Sequence, residues 1–300
     1  MTSFADEIRA VFPDTDIRER VDMRDYTSFR IGGRADLMVS PRDTDELCLV
    51  WKRAHETGQP VYLLGNGSNV LVSDAGLRGT VIRLTGLNGV TADGDTVTAQ
   101  CGARLSKMAV VACNAELKGL AFAHGIPGTV GGALYMNAGA YGGQMSDVIA
   151  RTVFLGSDGE RRELNGAEHN FGYRRGYFTD AADCLILETS AVLKYGHSLD
   201  IRRDMDDYAE RRRARQPMSQ PSAGSVFKRP EGHFAGGLIE QCGLKGLAVG
   251  GAKVSEKHAG FIVNTGGAKC ADVLKLIEII QKTVLAKTGV ELKPEIKVIG

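Results

Sequence analysis

The sequence YLLGNGSNVLVSD, residues 62–74, places two glycines and three short polar residues between two strand-like apolar runs. A glycine-rich turn of this kind lets successive backbone amides approach a phosphate closely. The stretch departs from the dinucleotide fingerprint, because Val70 stands where the third glycine belongs and a strand pattern follows instead of a helix. It therefore predicts a nucleotide loop outside a Rossmann fold, with a simple glycine hairpin as the alternative.

A second glycine-rich stretch, AHGIPGTVGGALYMNAGAYGG, occupies residues 123–143. Pro127 and Asn137 are residue types that favour turns among its glycines. Two such loops in one chain indicate a long ligand. The chain contains no GK pair, which excludes the P-loop typical of phosphoryl transfer.

The pattern around these loops predicts an α+β architecture. Helical periodicity is found at residues 45–56, 105–117 and 271–287. Strand-like runs are more frequent, at residues 35–39, 61–64, 70–72, 81–84, 96–101, 153–155, 185–193 and 261–264. A charged, helix-like stretch at 201–215 is followed by two prolines, and we predict a domain boundary there, with a solvated linker helix as the alternative.

Composition limits the class of protein. A chain of 300 residues predicts roughly two domains, and its 43% hydrophobic and 24% charged fractions are those of a globular protein. The net charge of +1 predicts no nucleic-acid partner and no anionic membrane partner. The six cysteines form no CxxC pair and the six histidines no ligand cluster, so no metal site is predicted. No signal segment or long apolar run is recognisable, which predicts a cytoplasmic protein compatible with a monomer.

Five segments, in this order, resemble the UDP-N-acetylenolpyruvoylglucosamine reductase family, also called UDP-N-acetylmuramate dehydrogenases. They are LGNGSNVL at 64–71, IPGTVGGALYMNAGAYG at 126–142, FGYRRGYF at 171–178, PSAGSVFKRP at 221–230 and LKPEIKVIG at 292–300. The resemblance covers nearly the whole chain after about residue 27. The chain is similar to the shorter type II form, because it ends just after the last segment and has little room for an insertion after Arg174.

The resemblance implies an FAD-binding fold of the vanillyl-alcohol-oxidase type, made of two subdomains, and a C-terminal α+β substrate-binding domain. The expected boundaries are 1–200 for the FAD region (about 1–80 and 81–200), 201–290 for the substrate domain and 291–300 for a final strand. The implied reaction reduces UDP-N-acetylenolpyruvoylglucosamine to UDP-N-acetylmuramate, an early step of bacterial cell-wall synthesis. NADPH is the co-substrate, and hydride passes through flavin N5.

The resemblance also implies which residues bind these molecules. Backbone and side-chain groups of both glycine loops would hold FAD: Gly65, Asn66, Gly67, Ser68, Asn69, Pro127, Gly128, Thr129, Gly131, Gly132, Asn137, Gly139 and Ala140. Cations and an amide of the C-terminal region would hold the UDP-sugar: Arg212, Arg215, Lys228, Arg229, Lys245, Lys257 and Asn264. Arg229 replaces an asparagine of the longer-type pattern, which leaves the sugar and uracil contacts open.

Three residues match the family's catalytic positions. Arg174 is expected to bind the substrate carboxylate, with the adjacent Arg175 as its rival. Ser225 is expected to protonate the substrate carbon, and Glu295 to act with the arginine on the developing enolate. They are distant in sequence, so their convergence is a prediction about the fold.

Two other functions stay open at this stage. One is a flavin oxidase of the same fold, for which His124 would be a candidate for covalent attachment, although a packing role is the simpler interpretation of this histidine. The other is a nucleotide-binding module without turnover. The presence of all three catalytic residue types argues against the module.

Overall fold

The computed structural model describes residues 4–181 and 183–300. The helices are α1 Phe4–Val11, α2 Thr44–Glu56, α3 Leu105–Asn114, α4 Val130–Tyr135, α5 Tyr177–Asp180, α6 Ser198–Arg215, α7 Ala235–Gln241 and α8 Cys270–Thr288. The strands in the first half are β1 Asp16–Asp22, β2 Arg34–Ser40, β3 Val61–Leu64, β4 Val70–Val72, β5 Leu77–Arg83, β6 Val90–Asp93, β7 Thr96–Gln100, β8 Leu117–Lys118, β9 Gly139–Ala140 and β10 Gly143–Gln144. Those that follow are β11 Ile149–Leu155, β12 Arg161–Asn165, β13 Leu185–Val192, β14 Lys194–Tyr195, β15 Ala248–Val249, β16 Ala252–Val254, β17 Ile262–Asn264 and β18 Lys297–Ile299.

These strands form several sheets. The largest has the order β12-β11-β13-β7-β6, and a four-stranded sheet has the order β1-β2-β5-β3. The smaller sheets are β15-β16-β17, β18-β4, β10-β9 and β14-β8. Since helices and strands alternate irregularly and most pairing is antiparallel, the predicted α+β class is confirmed.

The chain divides into two compact units, which interleave along the sequence. The first comprises residues 1–19, 37–66 and 79–211, and the second residues 20–36, 67–78 and 212–300. The contiguous boundaries predicted at 200 and 290 therefore do not delimit the compact units. The physical reason lies in the second core, where Phe29, Ile31 and Leu71 are buried together with C-terminal residues such as Val226 and Ile296.

The first unit is built on the five-stranded sheet. Helix α2 begins at the N-cap Asp43, whose carboxylate accepts a hydrogen bond from the Glu46 amide. The buried face of this helix carries Trp51, whose indole nitrogen donates to the Gly156 carbonyl at 2.8 Å. The apolar stripe of the helix is thus fixed to the loop that follows β11.

The second unit is organised around α8 and two small sheets. Buried residues of α8 recur at the spacing of one helical face: Val273, Leu276, Ile277, Ile280 and Val284. The Asp74 carboxylate accepts hydrogen bonds from the Cys270 and Ala271 amides, at 2.8 and 3.0 Å, and so caps the first turn. This cap ties the segment after β4 to α8.

Several predicted elements have different ends in the structure. The predicted helix at 105–117 ends at Asn114, because Glu116 adopts a left-handed φ of 57° and Leu117 pairs with Tyr195 in β8-β14. The predicted strand at 81–84 begins at Leu77. Strands β1 and β12 were not predicted, because their charged and exposed residues hide the alternation that marks a strand.

Candidate active site

The first glycine loop begins where β3 ends. Gly65 has no room for a side chain, since a Cβ there would lie 2.4 Å from Thr129 Oγ1. The Asn66 amide Nδ2 donates to the Pro127 carbonyl at 2.8 Å. Within the first unit, the two glycine loops predicted from the sequence are therefore in direct contact.

The remainder of the first loop belongs to the second unit. Gly67 has a left-handed φ of 60°, and a Cβ there would lie 2.3 Å from the Tyr26 carbonyl oxygen. Its own carbonyl accepts a hydrogen bond from the Ser28 amide at 3.0 Å. Only glycine meets both conditions at this position.

The backbone amides at residues 66–68 bear on whether this loop can bind an anion. The amides of Asn66, Gly67 and Ser68 donate no hydrogen bond to any residue that the structure describes. Consecutive amides with this property can bind phosphate oxygens. Ser68 and Asn69 are only partly buried, as a contact with a ligand requires.

The second glycine loop is fixed by the largest sheet and by α3. The Gly131 amide donates to the Cys101 carbonyl at 2.8 Å, and the Leu105 amide donates to the Gly128 carbonyl at 3.1 Å. Thr129 is buried and caps α4 by accepting from the Gly132 amide. Burial raises the pKa of the Cys101 thiol to about 12, so this neighbour of the loop stays uncharged.

Three residues of this loop differ in their exposure to solvent. Gly132 is exposed and Pro127 is exposed, so both can contact a ligand. Asn137, by contrast, is 1% exposed, and its side-chain amide donates to the Gly172 carbonyl at 3.0 Å. The prediction that Asn137 binds FAD is therefore not supported for its side chain, which is used within the protein.

Arg174 lies in a tight turn of the first unit. Gly172 and Arg175 exchange two backbone hydrogen bonds, of 3.0 and 3.3 Å, which makes Tyr173 and Arg174 the central residues. Arg174 has a left-handed φ of 55°, a conformation that costs an arginine about 1–3 kcal/mol. Its guanidinium donates to the Asn137 and Gly139 carbonyls at 3.3 and 3.1 Å. Arg175 is exposed on the same turn.

Ser225 and Glu295 lie on neighbouring extended segments of the second unit. The Glu295 amide donates to the Val226 carbonyl at 2.7 Å, and the Lys228 amide donates to the Lys293 carbonyl at 2.8 Å. On its other side, Ser225 forms a bridge with Phe261. The structure thus pairs the backbone segments that carry two of the three predicted catalytic residues, whereas the convergence of all three side chains stays a prediction.

The residues predicted to bind UDP have diverse surroundings. Asn264 is buried, and its amide donates to the Phe29 and Arg30 carbonyls and accepts from the Gly266 and Ala268 amides. This amide serves the interior of the second unit, so the predicted UDP contact of Asn264 is not supported. The other candidates are at least partly exposed: Arg212, Arg215, Lys228, Arg229, Lys245 and Lys257.

Several of these cations have protein partners. Lys257 Nζ donates to the Arg213 carbonyl at 2.6 Å, near the end of α6. Lys245 forms a 2.5 Å ion pair with Glu240. The Arg229 guanidinium lies 4.0 Å from the centre of the Phe234 ring, which is 66% exposed.

Sequence reasoning left two features of the site unnoticed. Tyr141 stacks on Tyr208 of α6, with ring centroids 4.6 Å apart. The Tyr173 ring lies 5.0 Å from the Arg174 guanidinium carbon. The residues of each pair have no sequence spacing from which their contact could be predicted.

His124, the candidate for covalent flavin attachment, has a buried Nδ1 without a hydrogen-bond partner among the described residues.

Two matches to known families coincide with these regions. Residues 35–165 match the family described as an FAD binding domain. Residues 216–299 match the C-terminal domain of UDP-N-acetylenolpyruvoylglucosamine reductase. A UDP-N-acetylenolpyruvoylglucosamine reductase of Caldanaerobacter subterraneus subsp. tengcongensis is 45% identical over 98% of this chain and 97% of its own length. The chain belongs to the UDP-N-acetylenolpyruvoylglucosamine reductase family.

Solved structures agree with membership in the UDP-N-acetylenolpyruvoylglucosamine reductase family. The UDP-N-acetylenolpyruvylglucosamine reductase of Thermus caldophilus is 33% identical, with a TM-score of 0.81 over 95% of this chain and 99% of that chain. A glucooligosaccharide oxidase of Acremonium strictum, 14% identical with a TM-score of 0.51, is similar in fold alone. The predicted fold, an FAD-binding region followed by a C-terminal domain, is confirmed, and the chain is an FAD-dependent oxidoreductase. In the described part of the chain, no helix has the length and apolar character to cross a membrane.

Proposed function

We propose that this protein reduces UDP-N-acetylenolpyruvoylglucosamine with NADPH to UDP-N-acetylmuramate, a precursor of peptidoglycan. The observation that carries the proposal is the pairing of the Ser225 and Glu295 segments in a chain that is 45% identical to a reductase of that name. Bound FAD supplies a two-electron carrier that takes hydride from NADPH and delivers it to the vinyl carbon of the sugar. The protein must hold the substrate carboxylate, stabilise the developing charge and supply a proton.

Arg174 is proposed to hold the carboxylate. A planar guanidinium can make two parallel charge-assisted hydrogen bonds to a carboxylate, which fixes the distance and the orientation of the substrate together. The left-handed backbone of Arg174 supports this role, because strained residues of this kind persist where the surrounding structure holds them for a function. Arg175, with an exposed side chain on the same turn, remains the rival.

Ser225 is proposed to donate the proton to the substrate carbon, and Glu295 to act beside it. A serine hydroxyl can protonate a carbon that carries strongly basic, enolate-like charge, although it is a weak acid in water. Exposure of the Ser225 side chain is consistent with access to a ligand. Glu295 would share a proton near the developing enolate, so that two negative charges do not face each other.

The amides and side chains of both loops are proposed to hold FAD: Gly65, Asn66, Gly67, Ser68, Asn69, Pro127, Gly128, Thr129, Gly131, Gly132, Gly139 and Ala140. For the UDP group we retain the cations of the C-terminal region: Arg212, Arg215, Lys228, Arg229, Lys245 and Lys257. The last two already bind Glu240 and the Arg213 carbonyl, and a phosphate would have to displace these partners.

The test is NADPH oxidation by flavin-loaded protein, with and without UDP-N-acetylenolpyruvoylglucosamine. Rapid oxidation only in the presence of the sugar, with one UDP-N-acetylmuramate formed per NADPH, is expected. Both reactants need the same flavin, so parallel double-reciprocal lines are expected as well. Oxygen consumption that does not depend on the sugar would establish an oxidase, and intact holoprotein without turnover would establish a binding module.

A further inference from the structure

Asn137 is buried to 99% in the first unit and adopts a left-handed φ of 44°. The sequence places it within the second glycine loop, among residues expected to contact the cofactor. Its carboxamide instead binds two backbone groups of the protein. The Ser146 amide donates to Asn137 Oδ1 at 2.9 Å, and Asn137 Nδ2 donates to the Gly172 carbonyl at 3.0 Å.

These two hydrogen bonds require a carboxamide side chain at position 137. A backbone amide requires an acceptor, and a backbone carbonyl requires a donor, so the orientation of the Asn137 side chain is fixed by its partners. Aspartate keeps the size and the tolerance of left-handed backbone, but an ionised carboxylate only accepts and would face the Gly172 carbonyl without a proton.

Both ends of Arg174 are anchored on this loop. At the backbone end, the Asn137 side chain holds Gly172, the first residue of the turn that carries Arg174. At the guanidinium end, the Asn137 and Gly139 carbonyls accept from Arg174 Nη1 and Nη2 at 3.3 and 3.1 Å. One residue thus contacts the arginine turn through its side chain and the arginine head group through its main chain.

We propose that Asn137 is the positioning residue of Arg174, which it holds in the orientation needed to bind the substrate carboxylate. This inference rests on the proposed function of Arg174. Arginine has a long side chain with much rotamer freedom, and the left-handed backbone adds a further cost. The buried Asn137 amide holds the turn in its left-handed conformation, and the Asn137 carbonyl restricts the rotamers of Arg174. The guanidinium is therefore in place before the substrate arrives.

The experiment compares N137D, R174A and the double variant, each as FAD-loaded protein. We expect N137D to lower kcat/KM for the enolpyruvyl sugar about 100-fold, the loss typical of a misplaced binding group. The FAD dissociation constant, measured by the change in flavin fluorescence, should stay that of the wild type. In the R174A background, N137D should cause little further loss, since Asn137 acts through Arg174.

N170D is the matched control, because Asn170 has a similar left-handed φ of 46° but is exposed. It should leave kcat/KM unchanged. If N137D does not fold, N137G removes the same two bonds while tolerating the backbone. Weakened FAD binding, or losses that add fully to those of R174A, would overturn the inference and make Asn137 a cofactor or scaffold residue. Unimpaired turnover by R174A would instead refute the proposed role of the arginine itself.

Discussion

At the scale of single residues, Ser225 combines a fixed backbone with an exposed side chain. Its segment pairs with the Glu295 segment on one side and with Phe261 on the other, and Gly224 before it has a left-handed φ of 77°. The hydroxyl is thereby presented from a backbone that hydrogen bonds hold in place. Removing it should affect chemistry far more than folding.

We predict that S225A lowers the rate at which reduced enzyme converts the enolpyruvyl sugar by about 10²- to 10⁴-fold, the contribution of a general acid. Stopped-flow recording of flavin reoxidation measures this rate. Reduction of the flavin by NADPH and the unfolding midpoint should be unchanged. S219A, an exposed serine outside the paired segment, is the control. A rate for S225A within threefold of wild type would exclude the proton-donor role.

His169 makes stability sensitive to pH. It is fully buried, with Nδ1 2.9 Å from the Gly166 carbonyl and Nε2 2.9 Å from Thr152 Oγ1, and burial lowers its pKa below the usual 6.5. Below pH 6.5 the unfolded chain takes up a proton that the folded chain resists. The free energy of unfolding should therefore fall as pH is lowered from 6.5 towards the folded pKa.

Urea unfolding at pH 7.5, 6.5 and 5.5 measures this dependence. We predict a smaller loss of stability at pH 5.5 for H169N than for wild type. Part of the loss should remain, because burial lowers the pKa of His258 as well. H197N, a histidine substitution at an exposed position, is the control for the loss of an imidazole. Identical slopes for H169N and wild type would show that His169 is not the group responsible.

At the scale of elements, the loop between β3 and β4 contains glycines for one of two reasons. Either a neighbouring backbone lies too close for a side chain, or the loop needs glycine only for its left-handed conformation. Gly67 and Gly58 have nearly the same left-handed φ, 60° and 65°. A Cβ at Gly67 would meet the Tyr26 carbonyl at 2.3 Å, whereas a Cβ at Gly58 has nothing within 4 Å. G67A and G58A should therefore have similar backbone strain, but only G67A should cause a steric clash.

We predict that G67A weakens FAD binding at least tenfold, because the loop must shift away from Tyr26 and its amides lose their alignment. G58A should keep wild-type affinity and lose only about 1 kcal/mol of stability from the strained backbone. Fluorescence titration of apoprotein with FAD decides between them. Equal affinities for the two variants would show that the Gly67 loop does not contact the cofactor.

The sequence predicts elements best where local periodicity and burial agree. The bounds of β3 and β4 were predicted correctly, since short apolar runs flanked by glycines leave little choice of register. The side-chain role of Asn137 could not be predicted, because its partners, Ser146 and Gly172, become neighbours only after folding. Asp74 likewise gives no local sign that it caps a helix almost 200 residues later.

At the scale of the whole molecule, the second unit depends on segments that are far apart in sequence. We predict that residues 212–300 alone do not fold, because their core lacks Phe29, Ile31 and Leu71, which are all buried in the second unit. Circular dichroism and proton NMR of this fragment should show no cooperative unfolding and poor dispersion. A cooperative thermal transition of the isolated fragment would contradict the interleaved division.

The same interleaving sets an order of events during synthesis. Residues 20–36 and 67–78 leave the ribosome early, but the core that buries Phe29 and Leu71 is complete only when α8 and Ile296 have been made. At 5–20 residues per second, that delay is on the order of ten seconds or more. Apolar side chains of the nascent chain should therefore stay exposed until the C-terminal residues are synthesised. The expression yield should then depend on the supply of chaperones and on the speed of translation.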